Sequence, residues 1–284
     1  MALFLLGLLS LLAQVVLLRE LNVAFFGVEL VYLVALSVWL AATGAGALLG
    51  PTRGTPSPTT LACLLGGAAL LVPADVAFIR GSRLLMGGVP GAYLPIERQA
   101  AVLLLSVAPV AFALGLGFRR AARLHVAHGG TLGGAYGIES IGAAAGGLGS
   151  TLLVKAGVQT FALAIGTAGG LLTALSLWRL RSRARALAVL PAVIAGLAIG
   201  QQAGIDRAMT RWTHPTLVET LDTPYDRVTV TESAAQVAIF ENDVLVFDSD
   251  TADTEELPHL AALHHPAPRR ILLLVDTSAS MRRG

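Results

Sequence analysis

Seven stretches of this chain, residues 2–18, 29–50, 59–79, 99–118, 131–154, 158–178 and 184–201, are apolar and nearly free of charge. Each comes close to the roughly 20 apolar residues that a helix needs to cross a bilayer. In hydrocarbon every backbone N–H and C=O must be satisfied internally, and a helix does this within one segment. The composition agrees, since 13% of the 284 residues are charged and 55% are hydrophobic, where a soluble domain carries about a quarter charged. The sequence therefore predicts an all-α membrane bundle of about seven transmembrane helices over residues 1–202, with a small, incomplete α+β tail behind it. In that tail, 203–270 reads as a small β-rich domain and 271–284 as the first strand and loop of an α/β fold that the sequence leaves truncated. The first apolar run has no basic segment before it, so it is expected to stay as a span.

The formal net charge is +2, and the arginines sit in short clusters between apolar runs. That pattern orients a membrane protein and gives no reason to expect a nucleic-acid partner. Even-numbered runs are followed by Arg53, by Arg119, Arg120 and Arg123, and by Arg179, Arg181, Arg183 and Arg185. Odd-numbered runs are followed by Arg19, Arg80, Arg83, Arg98 and Lys155. Eight against five places the arginine-rich end in the cytoplasm and the tail outside. The expected setting is the lipid bilayer of the cytoplasmic (inner) membrane. Cys63 is the only cysteine, which excludes an intrachain disulfide, a cysteine-based zinc site and a haem attachment motif.

"GGAYGIESIGAAAGGLGS" (133–150) sets Gly133/Gly137 and Gly142/Gly146 at the spacing that lets helix backbones approach closely in lipid. Packing inside the bundle is the first expectation, and a homo-oligomer through the helix 131–154 is the alternative. Ionisable groups inside spans are costly and mark functional candidates. Glu139 stands among these glycines and is expected to face the bundle near Tyr136 and Ser140. Arg19 and Glu20 are adjacent in sequence and so point apart on a helix. Each needs a partner elsewhere, with Arg19–Glu139 one such pairing.

In the tail, 225–232, 236–240 and 243–247 read as short strands, with Glu241-Asn242-Asp243 as a hairpin turn. Residues 253–266 read as a short helix limited by Pro258. His259, His264 and His265 lack the spacing of a metal site.

"AQVVLLRELNVAFFGVELVYLVALSVWLAATGAGALLG" (13–50) and "YGIESIGAAAGGLGSTLLV" (136–154) resemble the membrane half of the membrane-bound spermidine synthase-like proteins. "TPYDRVTVTE" (223–232) and "AIFENDVLVFDSDTADTEELPHLAALHHPAPRRILLL" (238–274) look like that family's small β-domain leading into a nucleoside-binding fold. The resemblance implies aminopropyl transfer from decarboxylated S-adenosylmethionine, the co-substrate of the intact family, to putrescine. It implies substrate-side positions at Tyr225, Asp226, Glu255, Glu256 and His259. The family has glutamine where this chain has Asp226, tyrosine where it has His259 and glutamate where it has Ala261. The glycine-rich loop expected after "RRILLL" is replaced by Asp276-Thr277-Ser278-Ala279-Ser280. No cofactor and no catalytic residue are therefore expected within this chain, and it is expected not to catalyse the transfer. That last loop resembles instead the metal-site loop of von Willebrand factor A domains, which implies Asp276, Ser278 and Ser280 as partial ligands for Mg²⁺. Two further functions stay open: a module that binds or moves a small cationic or lipid-like ligand through Glu139 and Glu20, and a membrane anchor for a metal-dependent adhesion domain.

Overall fold

The computed structural model describes residues 1–50, 57–88, 93–179, 189–234 and 236–249. Glu255, Glu256, His259, Asp276, Ser278 and Ser280 lie outside the described residues, as do the helix expected over 253–266 and the strand that begins at Ile271.

Among the described residues, eight helices precede a small sheet: α1 (Ala2–Ala24), α2 (Glu29–Leu49), α3 (Pro58–Leu85), α4 (Ile96–Ala127), α5 (Leu132–Lys155), α6 (Thr160–Arg179), α7 (Val189–Gly200) and α8 (Gln202–Thr210). The helices α1 to α5 are long and apolar enough to cross a membrane. The α7–α8 pair, bent by 68°, would make a sixth span if it crosses as one, while the apolar part of α6, Thr160–Ser176, is shorter. The chain is thus a multi-pass bundle, with five or six spans supported by length and composition; a seventh is not established. The helical part runs past residue 202, because 203–210 belongs to α8 and not to a β-rich domain.

Ser57 and Thr131 start α3 and α5 by accepting hydrogen bonds from the Thr59 and Gly134 amides, at 3.3 and 3.0 Å. Such caps satisfy donors that the first turn leaves open. The centre of the bundle is α1, whose Leu9, Val16, Leu17 and Leu21 are almost wholly buried. Leu33 and Leu40 of α2, Leu148 of α5 and Leu197 of α7 face outward, where lipid replaces the missing protein neighbours.

The glycine run explains the closest helix pair. A Cβ on Gly142 would overlap the Phe4 carbonyl, one on Gly146 would crowd the Leu8 carbonyl, and one on Gly7 would overlap the Glu139 carbonyl. Backbone therefore lies against backbone along α1 and α5, which run parallel. Gly133 and Gly137 meet nothing within 4 Å, so only one of the two glycine pairs is used inside the chain.

The sheet is an antiparallel meander in the order β1 (Leu217–Asp222), β2 (Arg227–Ser233), β3 (Gln236–Glu241) and β4 (Val244–Asp248). Glu241 pairs with Val244 across a two-residue turn, and Asn242 and Asp243 both take positive φ, 48° and 62°. This is the backbone that the right-handed twist of a tight hairpin requires, and Asn and Asp tolerate it. The turn read from the sequence is present. β1 was not anticipated: its charged residues Glu219 and Asp222 break the apolar alternation.

Candidate functional site

The ends of α1, α3 and α8, the start of α6 and the first two strands converge on a buried cluster of charges. Glu20 lies in the last turns of α1 and is 1% exposed. Its carboxylate accepts from Arg80 of α3 at 2.7 and 2.9 Å. It also accepts from Arg227 of β2, at 3.0 and 3.4 Å. Arg80 donates further to Asp206 of α8 at 2.5 Å. Arg227 donates to both carboxylate oxygens of Asp222, at 2.6 and 3.2 Å. Asp222 also accepts from the backbone amide and hydroxyl of Thr160 at the start of α6, at 3.4 and 3.3 Å. There the positive end of the helix dipole favours an anion.

Arg19, next to Glu20 but turned the other way, donates to the Thr160 hydroxyl at 3.3 Å. Its remaining N–H groups donate to the carbonyls of Thr223 and Pro224, at 2.6 and 2.7 Å. Two guanidiniums, those of Arg80 and Arg227, are thus shared among three carboxylates, Glu20, Asp206 and Asp222, so every charge of this cluster has an opposite partner, as burial demands. Burial alone would raise the Asp222 carboxyl, yet the Arg227 guanidinium, with Arg80 and Arg19 behind it, holds it far below the usual range. Burial would likewise lower Arg227, but Asp222 and Glu20 keep it firmly protonated.

A second set of contacts seats the hairpin turn beside the first. His214 lies 3.0 Å from Asp243, and its ring rests on Phe240 with centroids 4.6 Å apart. Burial raises the Asp243 carboxyl, but the hydrogen bond and charge of His214 together with Arg83 hold it below its ordinary value. Asn242 donates to the Asp226 carboxylate and accepts from the Arg227 amide at 3.1 Å. Arg83 caps the Ala24 carbonyl at 3.0 Å and sits 4.0 Å above the Phe26 ring. Phe26 adopts φ 64°, a conformation a bulky residue holds only when its surroundings require it. Here its ring is fixed between Arg83 and Tyr93. A cavity of about 20 Å³ beside Glu20, Arg80, Arg83, Arg227 and Asp243 has room for one water molecule.

Glu20 and Arg19 do find partners away from each other, but the Arg19–Glu139 pairing does not occur. Glu139 lies partly exposed on α5, and its carboxylate makes no hydrogen bond or ion pair among the described residues; Tyr136 and Ser140 beside it are exposed. Tyr225 is 77% exposed at the tip of the β1–β2 turn, and Asp226 is occupied by Asn242. No group of three or more metal-ligating side chains occurs among the described residues.

Sequence reasoning missed Arg80, Asp206, Asp222 and Arg227 as site residues, together with Asp75, a buried carboxylate within α3 whose Oδ2 has no partner. Asp75 was visible as a charge inside an apolar run. Arg227 was visible as a charge in phase with the inward-facing Thr229 and Thr231.

No protein-family model, no curated protein and no solved structure matches this chain.

Proposed function

We propose that this chain is a membrane platform that fixes a small β-sheet at one end of a helical bundle, as the resemblance to membrane-bound spermidine synthase-like proteins implies. In that family such a sheet precedes the nucleoside-binding fold, so holding it still would set where an aminopropyl donor meets the membrane surface. The observation that carries this reading is Glu20, a carboxylate of the first helix shared by an arginine of the third helix and an arginine of the sheet. A tethered, independently moving sheet would need no such buried triad. A cation-binding role for Glu20 is disfavoured by the same geometry, because both its oxygens are already taken by guanidiniums.

Amide exchange in detergent tests the platform. Strands β1 and β2 should exchange with the core of the bundle in the parent protein, and much faster in Glu20→Gln while α1 to α5 stay protected. Equal protection in both proteins contradicts the reading. Methylthioadenosine and decarboxylated S-adenosylmethionine should not raise the melting temperature of residues 1–284, since no glycine-rich loop follows Val275. Saturable stabilisation would show a nucleoside site within these residues. The arginine distribution favours a sheet on the outer side of the membrane, whereas a nucleoside donor would require it inside. A reporter fused after Gly284 separates these two orientations.

A further inference from the structure

The bundle end opposite the sheet carries a feature that the platform does not use. A groove of about 600 Å³ opens there between α2, α4 and α5. One wall is aromatic, with Phe118 and Tyr136 in contact at 4.7 Å between centroids. Arg119 and Arg123, one helical turn apart, stand at its rim. Arg119 is fixed there because it donates to the Ala47 and Leu48 carbonyls at 2.6 Å each, closing the C-terminal end of α2.

The charge around this groove has one sign. The end of α4 and the turn into α5, residues 113–131, carry Arg119, Arg120 and Arg123 and no aspartate or glutamate. Apolar side chains flank the groove on the outside, with Leu48, Val126 and Leu132 all exposed. They continue the outward face that lipid covers. A soluble anion would meet hydrocarbon on most of its surface here, whereas a phospholipid would meet both of its chemistries.

We infer that this groove binds one anionic phospholipid, its phosphate against Arg119 and Arg123 and an acyl chain along Phe118 and Tyr136. Basic pockets between helix ends recognise such headgroups by charge, while the apolar wall retains the chain. Arg120, next to Arg119, adds to the field without touching the α2 carbonyls.

The test is native mass spectrometry of the full chain in neutral detergent, titrated with phosphatidylglycerol or with phosphatidylcholine of the same acyl chains. The expected result is one phosphatidylglycerol retained in preference to phosphatidylcholine. That preference should weaken as ionic strength rises. It should fall by about fivefold for each arginine removed in Arg120→Gln/Arg123→Gln. Arg119 is left intact because it closes α2, and the melting temperature without lipid reports whether the double variant folds. Equal retention of the two lipids, a preference insensitive to salt in the parent, or full displacement by inorganic phosphate alone would each overturn the assignment.

Discussion

Arg227 of the second strand donates a 3.0 Å hydrogen bond to Glu20 of the first helix, 207 residues earlier in the chain. The side chains involved are 5% and 1% exposed, so the pair is shielded from solvent and joins sheet to membrane bundle directly. Arg227→Met leaves the buried Asp222 without its guanidinium, and an unmatched buried charge costs about 3–5 kcal/mol. Glu20→Gln leaves Arg80 with Asp206 and Arg227 with Asp222, so it removes the charged hydrogen bonds that join helix to sheet, worth about 1.5–3 kcal/mol each at most. Both changes together should cost less than their sum, because the Glu20–Arg227 contact is lost only once. Chemical denaturation followed by tryptophan fluorescence measures all three.

Arg19 acts on the turn rather than on the core of the cluster. Arg19→Met removes donors to the Thr223 and Pro224 carbonyls, each charged hydrogen bond being worth about 1.5–3 kcal/mol at most. The expected outcome is faster amide exchange at Tyr225 and Asp226, whose N–H groups depend on the Thr223 hydroxyl. The bundle helices should be unaffected.

How much of this was legible beforehand depends on the range of the interaction. Helix positions in α1 to α5 followed from apolar run length, and the hairpin at Asn242 and Asp243 followed from local turn chemistry. Both are properties of adjacent residues. The cluster was not legible, because Glu20, Arg80, Asp206, Asp222 and Arg227 come from five separate elements and no spacing rule links them. Arg80 was counted as a loop charge when it lies inside α3. The tail boundary was set early because α8 is too polar to be read as a span, although its Asp206, Met209 and Thr210 are buried.

The two glycine pairs of α5 should separate cleanly under mutation. Gly142→Leu must push α5 away from the Phe4 carbonyl, a backbone clash costing at least about 1–3 kcal/mol. Gly137→Leu has open space around it and should leave monomer stability unchanged. A shift in oligomeric state on Gly137→Leu, read by analytical ultracentrifugation in detergent, would assign that outer pair to contact between copies.

Acid should loosen the sheet before the helices. The Asp222 and Asp243 carboxyls are held below their ordinary values when folded. Their contribution is therefore complete above the unfolded aspartate value of about 3.9 and is lost as pH falls below it toward the folded values. The sheet should therefore lose this stability below about pH 4. Asp222→Asn should be less stable at neutral pH, with a shallower acid slope than the parent.

The distance between sheet and bundle tests the platform most directly. With Cys63 replaced by serine, spin labels at Ser233→Cys on β2 and Lys155→Cys at the end of α5 report that distance by double electron–electron resonance. A single narrow distribution is expected in this background, broadening when Glu20→Gln is added while helical content is retained. Distributions of equal width with and without Glu20 would show that the buried triad does not hold the sheet in place.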